Sequence, residues 1–197
     1  MLLRRRVAAV ASSAVLAVGL TACDTDMVGS AAVVGNDRIS VTELQDHARE
    51  VLDVQGVDPA GDQRNLQMTL LNRLIAFELR DRIAADAGIT VTEADVDTFI
   101  AEQLIAQAPD GDLTPLLAQN AMTEDTLREA VREVLVLEQI GGQQAYFEAM
   151  AAASQEVGVE VNPRYGRWTG AGIEEVSGSI SLRAGESAGA TEQHPGQ

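Results

Sequence analysis

LLNRLIAFELR, residues 70–80, is the centre of the longest helical pattern in this chain of 197 residues. Apolar residues recur every three or four positions through and beyond the stretch, which predicts one amphipathic helix over residues 62–87. The apolar arc is wide enough to contact neighbouring elements on two sides. Gly88 follows the pattern and is a natural helix end. The apolar positions are Leu66, Leu70, Leu71, Leu74, Ile75, Phe77, Leu79 and Ile83.

Two capping boxes mark the starts of further helices. In such a box a Ser or Thr side chain accepts from the helix N-terminus, and an acidic side chain three residues later reaches back. Ser40-Val41-Thr42-Glu43 predicts a helix to about Val54, before the glycines of residues 56–61 break it. Thr90-Val91-Thr92-Glu93 predicts another to about residue 108. The inward positions are Leu44, Ala48, Val51 and Leu52 in one, and Val96, Phe99, Ile100 and Leu104 in the other.

The second half of the chain continues with shorter helices. Thr114-Pro115 places a proline in a first helical turn, where its missing N–H costs nothing, and predicts a short fourth helix. Thr123 begins a fifth helix, and Gly141-Gly142 either bends it or splits it, which the pattern leaves open. Helical composition continues over residues 143–156. The inward positions of the fifth helix are Leu127, Val131, Val134, Leu135 and Ile140.

Short strands are predicted on either side of the helices. Residues 31–34 are apolar and are followed by the turn residues 35–37, while residues 157–161 alternate in polarity. An isolated strand leaves its backbone unsatisfied, so the two strands are predicted to pair. The sequence therefore predicts a mainly α fold over residues 31–168, closed by a two-stranded pairing of its N- and C-terminal segments. Residues 169–197 are rich in Gly, Ser and Ala and are predicted to be disordered.

The N-terminus has the pattern of an export signal. The basic start MLLRRR precedes the uncharged residues 7–20, a run too short to be a permanent membrane helix. Leu20-Thr21-Ala22-Cys23 then resembles the lipobox of lipoprotein precursors, and Cys23 is the only cysteine in the chain. The resemblance implies removal of residues 1–22 as a signal peptide, diacylglycerol and palmitate on Cys23, and a tether over residues 23–30. The alternative is an ordinary secretory signal with an incidental cysteine. The predicted location is the extracytoplasmic face of a cell membrane.

Composition narrows the classes of partner. The chain has 14 basic residues, all arginine, against 30 acidic ones, for a net charge of −16. Removal of the three arginines of the leader would bring the net charge to −19. Nucleic acid is excluded as an expected partner, because phosphate contacts need a basic surface. Aromatic residues make up only 3% of the chain, so Leu, Ile, Val and Ala must supply the core.

Candidate catalytic or metal-binding groups are few, and we expect neither an enzyme nor a bound cofactor or metal. His47 and His194 are predicted to be solvent-exposed. No Ser/His/Asp set, HExxH, CxxC or phosphate-binding glycine loop occurs in the sequence. Asp110-Gly111-Asp112 lacks the further ligands of an EF-hand and is interpreted as a solvated loop.

The stretch VNPRYGRW, residues 161–168, is the one local concentration of aromatic and basic residues. It holds the only tryptophan of an acidic chain. One interpretation is that Tyr165 and Trp168 pack the chain against the helices while Arg164 and Arg167 pair with carboxylates. The other is a surface patch that binds a peptide or partner through these four residues, because Trp, Tyr and Arg are frequent binding anchors.

Three segments together resemble the N-terminal domain of SurA-type chaperones, to which PrsA-type foldase lipoproteins and part of trigger factor are related. The segments are VVGNDRIS at residues 33–40, LLNRLIAFELR at residues 70–80 and GITVT at residues 88–92. This chain has Gly35-Asn36-Asp37 where the family pattern has Asn-Gly. The resemblance extends over about residues 31–168.

The resemblance implies a helical cradle that holds unfolded protein segments. Many members also carry a parvulin prolyl-isomerase domain, but here residues 157–161 follow the last helix directly, so we expect none. The expected function is a lipid-anchored chaperone without catalysis, whose partners are non-native secreted or envelope proteins. The alternative is an adaptor that serves one cell-envelope complex through the patch at residues 161–168.

Overall fold

A computed structural model describes residues 27–60 and 63–175. The fold is mainly helical, with small antiparallel sheets, which confirms the predicted fold class. The elements in chain order are β1 (Ser30–Val34), β2 (Asp37–Ser40), α1 (Val41–Gln55), α2 (Arg64–Ala87), α3 (Glu93–Phe99), a π-helical turn (Ile100–Leu104), two 3-10 turns (Ile105–Gln107 and Pro109–Gly111), α4 (Thr114–Gln119), α5 (Glu124–Gln139), α6 (Gln143–Val157), β3 (Val159–Val161), β4 (Arg167–Trp168) and β5 (Ile173–Glu174).

The N- and C-terminal segments pair as predicted, but in a sheet of three strands. β1 lies between β2 and β3, and Ala32 is opposite Val161. The prediction did not include the third strand, β2, which a tight hairpin at Gly35, with a φ of +60°, brings onto β1. Ser30, which the sequence assigned to the tether, is fully buried in β1.

Helix α1 follows β2 without a loop and is capped as predicted. The backbone N–H of Glu43 donates to Oγ of Ser40 at 3.0 Å, and the Glu43 carboxylate accepts from the Ser40 N–H at 3.4 Å. All four predicted inward residues of this helix are buried. Gly56, with a φ of +66°, ends the helix in the left-handed conformation.

Helix α2 is the central element, as its wide apolar arc predicted. It contacts β1, α1, α5 and α6, so it is covered on more than one side. Among its fully buried residues are Leu70, Leu71, Ile75 and Leu79. The sequence did not predict that Arg80, on the same helix, is also buried, with 2% of its surface exposed.

Helix α3 begins two residues later than predicted. Its N-cap is Thr92, whose hydroxyl accepts from the N–H of Asp95 at 3.2 Å, while the Asp95 carboxylate accepts from the Thr92 N–H at 2.8 Å. The capping box predicted at Thr90 is therefore wrong. Both registers fit the spacing of the motif, and the one in which Asp95 reaches back is formed.

The face of helix α5 that is buried changes between the start and the end of the helix. Leu127 and Val131 are buried as predicted, whereas Val134 is 38% exposed and Val136 is only 2% exposed. At 100° per residue, Val136 faces the side opposite Leu127. Val136 belongs to the core together with Tyr146 of α6, so a second neighbour changes the buried face near the end of α5. The prediction for Val134 is wrong because it assumed one face throughout.

The question left open at Gly141-Gly142 is answered by their backbone angles. Their φ values of +111° and +94° are incompatible with a continuous helix, and they separate α5 from α6. α6 then leads into β3 with only Gly158 between them. The chain thus turns back at these glycines and returns to pair with β1.

The predicted start of the disordered tail at residue 169 is wrong. β4 and β5 form a hairpin in which Trp168 is opposite Ile173. Gly166 is needed there, because a Cβ at this position would lie 2.4 Å from the carbonyl oxygen of Glu174. The rest of the predicted tail, residues 176–197, lies outside the described residues. Within the described ranges, no helix has the length and apolar character needed to cross a membrane.

Candidate functional site

Two surface grooves are the main candidates for binding. One lies between α4 and the π and 3-10 turns that follow α3, with a volume of about 650 Å³; we call it the leucine groove. The other lies where α1, α2 and α5 meet, with a volume of about 550 Å³; we call it the acidic groove. Both volumes fall in the ordinary range for ligand sites.

The leucine groove is lined by apolar side chains and by amides. Its charged lining residues are Asp110 and Asp112, which lie together in the loop that connects its walls. The apolar lining residues are Leu104, Ala108, Pro109, Leu113, Pro115 and Leu116, and the amide residues are Gln103, Gln107 and Gln119. Such a lining can bury apolar side chains while offering both hydrogen-bond donors and acceptors.

Local sequence builds the two walls of the leucine groove. Asp110, with a φ of 56°, and Gly111 reverse the chain between them. The carboxylate of Asp112 accepts from the N–H of Thr114 at 2.9 Å, which orients the start of α4. Hydrogen bonds from Thr114 lower the pKa of Asp112, so this carboxylate stays ionised. One wall is anchored, because the Gln55 amide donates to the Ala118 carbonyl at 3.0 Å.

Sequence reasoning predicted a solvated loop at residues 109–112 and missed the groove. The available signal was a pair of prolines, Pro109 and Pro115, close to three leucines. Asp110 and Asp112 are exposed, which fits the interpretation as a solvated loop. Among the residues that the structure describes, no group of three or more His, Cys, Asp or Glu side chains could hold a metal ion.

The acidic groove has an apolar floor and a carboxylate rim. Leu74 and Phe77 of α2 form the floor. The rim carboxylates are Glu43, Asp46 and Glu50 from α1, and Asp125 and Glu129 from α5. Both helices begin beside the groove. The N-caps of α1 and α5 fix the first residue of each helix and therefore which of its carboxylates face the groove.

His47 lines the acidic groove. The prediction that it is solvent-exposed is wrong. Its side chain is 15% exposed. Nε2 lies 3.1 Å from Oγ1 of Thr126, and Nδ1 lies 3.7 Å from a carboxylate oxygen of Glu50. Thr126 also lies within hydrogen-bonding distance of the N-cap Thr123, at 3.0 Å. His47 therefore ties α1 to the start of α5, a contact between helices that the sequence does not reveal. His194 lies outside the described residues.

The rim carboxylates differ in their charge partners. Glu129 pairs with Arg80 and with Arg132, each at 2.7 Å, and Asp46 pairs with Arg49. Within residues 27–60 and 63–175, no arginine forms an ion pair with the other three rim carboxylates, which are Glu43, Glu50 and Asp125. The groove therefore keeps a negative potential over an apolar floor.

The four candidate binding residues of VNPRYGRW do not form one exposed patch. Tyr165 is 2% exposed and belongs to the core. Trp168 is half-buried, and its Nε1 donates to Oγ of Ser154 on α6 at 2.6 Å. Only Arg164 and Arg167 are exposed, and the Arg164 guanidinium lies 5.0 Å from the centre of the Tyr165 ring. This arrangement fits the packing interpretation for the aromatic pair. Cys23, the predicted lipidation site, lies outside the described residues.

Comparison with known proteins identifies a family. The model of a family described as "SurA-like N-terminal domain" matches residues 5–141, which is more than half of the chain. No curated protein and no solved structure matches the chain significantly. The chain therefore belongs to the SurA-like N-terminal domain family, whose function, at the level of the family, is chaperone-like and directed at unfolded envelope proteins.

Proposed function

We propose that this protein is a lipid-anchored, extracytoplasmic chaperone that holds short segments of unfolded or partly folded polypeptides without catalysis. The observation that carries the proposal is the leucine groove, with its apolar walls and its three flanking glutamines. Unfolded chains expose apolar side chains and an unpaired backbone. The leucines and prolines would pack against the exposed apolar side chains, and the glutamine amides would form hydrogen bonds with the unpaired backbone.

The size of the leucine groove fits weak and general binding. A cavity of about 650 Å³ holds only a short segment. Binding such a segment buries little area, and ordering it costs conformational entropy, so the affinity is expected to be modest. Weak binding allows clients to be released without an energy source.

The wall of the leucine groove opposite α4 is suited to adapt to different clients. Its π and 3-10 turns make their main contacts with each other and with α3, rather than with the core. α3 itself is held to α5 by ion pairs from Arg128 to Glu93, at 2.7 Å, and to Asp97, at 2.8 Å. A wall with few core contacts can shift locally at low cost in free energy.

The anchor and the absence of catalysis are inferred from the order of segments. The lipobox-like sequence ending at Cys23 supports acylation, and two or more acyl chains give stable attachment. Gly158 alone separates α6 from β3, so no isomerase domain is inserted there. Support for the adaptor alternative is weaker, because the aromatic residues of its supposed patch pack against the protein itself.

Aggregation suppression tests the proposal. The purified domain should reduce light scattering by an unfolded, uncharged client, and the double variant Leu113→Gln/Leu116→Gln should lose most of that effect. The control is Val57→Gln, which changes an apolar side chain that is already 51% exposed outside the groove. All variants should melt at similar temperatures. Full suppression by the double variant would rule out the leucine groove as the binding site.

Catalysis is tested separately. A protease-coupled assay with a proline peptide should show no acceleration of prolyl isomerisation by the purified protein. Isomerase activity that co-purifies with the protein through several columns, at constant specific activity, would contradict the non-catalytic part of the proposal. It would leave the groove experiment unaffected.

A further inference from the structure

We propose that the acidic groove is a second client site, which binds a polypeptide segment carrying Arg or Lys beside an apolar side chain. The inference rests on the proposed function, because the occupant is part of a client chain. The inference adds to the proposed function a separate binding site and a preference for cationic segments. The groove of about 550 Å³ has the two parts that such a segment needs, an apolar floor and a carboxylate rim.

Charge identifies the occupant. Glu43, Glu50 and Asp125 surround the floor and form no ion pair with an arginine of the described residues. Five of the other described carboxylates pair with arginines, and these are Asp81, Asp86, Glu93, Asp97 and Glu156. A neutral apolar segment would leave the rim charges without partners. A cationic segment would satisfy them while its apolar neighbour contacts Leu74 and Phe77.

The protein already binds one guanidinium with lining residues of the same groove. Arg80 pairs with Glu129 at 2.7 Å, and its Cζ lies 5.2 Å from the centre of the Phe77 ring. A carboxylate beside an aromatic face is a favourable environment for arginine, since ion pairing and cation–π attraction act together. Because Arg80 and Arg132 pair with the carboxylate of Glu129, a client cation would pair with Glu43, Glu50 and Asp125, which have no arginine partner among the described residues.

Fixed contacts also position the residues that line the groove. His47 lies against Thr126 at 3.1 Å and so spans from α1 to α5. Glu43 is held by the N-terminus of α1, at 3.4 Å from the Ser40 N–H. Rim groups that are positioned before binding lose less conformational entropy when a ligand arrives.

Peptide binding tests the inference. The probe is a short fluorescent peptide of alternating leucine and arginine, compared with the same peptide carrying glutamine in place of arginine. We expect the arginine peptide to bind more tightly at low salt and to weaken as salt rises. Glu50→Gln/Asp125→Asn should raise its Kd by about tenfold, since each exposed charge contributes a factor of a few. The Kd for the glutamine peptide should not change.

The matched control removes the same number of charges elsewhere. Glu138 and Glu160 are exposed and lie outside the groove, so Glu138→Gln/Glu160→Gln should leave the Kd for the arginine peptide nearly unchanged. Equal weakening by both double variants would show a bulk charge effect and overturn the inference. So would an unchanged Kd in Glu50→Gln/Asp125→Asn, provided its melting temperature matches that of the wild type.

Failure of this inference can be distinguished from failure of the proposed function. The groove variant Glu50→Gln/Asp125→Asn should still suppress aggregation of an uncharged client, because the leucine groove is intact. Suppose that Glu50→Gln/Asp125→Asn suppresses aggregation and binds the arginine peptide as tightly as the wild type does. Only the inference of a second site in the acidic groove is then wrong. If the wild type neither suppresses aggregation nor binds either peptide, the proposed function is wrong as well.

Discussion

At the scale of single residues, Arg80 is the one charged side chain that is buried among the described residues. It donates to the Glu129 backbone carbonyl at 2.7 Å and pairs with the carboxylates of Glu129 and Asp81. Burial opposes its charge, but the hydrogen bonds to these carboxylates outweigh burial and raise its pKa. Arg80→Met should therefore lower the free energy of unfolding by about 2–3 kcal/mol, because the Glu129 carbonyl loses a side-chain donor and Asp81 loses its ion-pair partner.

Urea denaturation measures this change. Arg82→Met is the control, because Arg82 is on the same helix and forms ion pairs with Asp86 and Glu156 that are exposed. Exposed pairs contribute little to stability, so the control should unfold near the wild-type midpoint. An Arg80→Met variant as stable as this control would contradict the structural importance of the buried pair.

Glu78 gives a pH-dependent prediction at the same scale. Burial raises its pKa above the ordinary value, and the neighbouring carboxylates Asp37 and Asp81 raise it further. The folded state thus binds this proton more tightly than the unfolded state does, so the ionised form destabilises the fold at neutral pH. Glu78→Gln should raise Tm at pH 7, and the difference should shrink as pH falls through the raised pKa towards about 4.3.

Thermal melts between pH 4 and pH 8 test the prediction for Glu78. Glu148→Gln, at an exposed position of α6, controls for the loss of one negative charge from an acidic protein. A Tm difference for Glu78→Gln that is constant over this pH range, or equal to that of the control, would contradict the stated cause.

At the scale of elements, β3 is the strand that joins the end of the fold to its beginning. It pairs with β1 through three residue pairs, and the Gly35 N–H donates to the Gly158 carbonyl at 2.9 Å. Truncation after Gln155 removes this strand and also the buried Tyr165. The shortened domain should lose its cooperative melting transition, because β1 would keep only the hairpin partner β2.

Truncation after Glu175 is the matched comparison. It keeps the contacts that residues 27–60 and 63–175 make with one another, so its melting curve should coincide with that of the full domain. If truncation after Gln155 also leaves the curve unchanged, the closing strand does not stabilise the fold.

At the scale of the whole molecule, the proposed lipid anchor gives a prediction that labelling can test. Cys23→Ser should abolish incorporation of a fatty-acid analogue, because the thiol is the proposed acylation site. Ser12→Ala, in the uncharged part of the predicted leader, should be labelled as the wild type is. Labelling that persists in Cys23→Ser would show that the fatty acid is not attached to Cys23. A wild type that takes up no label would favour the alternative of an ordinary signal with an incidental cysteine.

Helix starts and inward faces could be predicted because their causes are local. The box at Ser40 and the cap at Thr123 depend on residues three positions apart in the sequence. At residues 90–95 two overlapping capping boxes satisfy the same spacing, so the spacing alone did not identify Thr92 as the N-cap. Pairing of the terminal strands could also be inferred, because an unpaired backbone must find a partner.

The sequence alone therefore determined the family, the helical fold class and the capped starts of α1 and α5. Only the tertiary structure decided that Arg80 is buried, that His47 joins two helices and that Val136 replaces Val134 in the core. The same is true of both grooves. Their walls come from segments far apart in the chain, and the spacing of residues along one helix carries no information about which helix lies opposite.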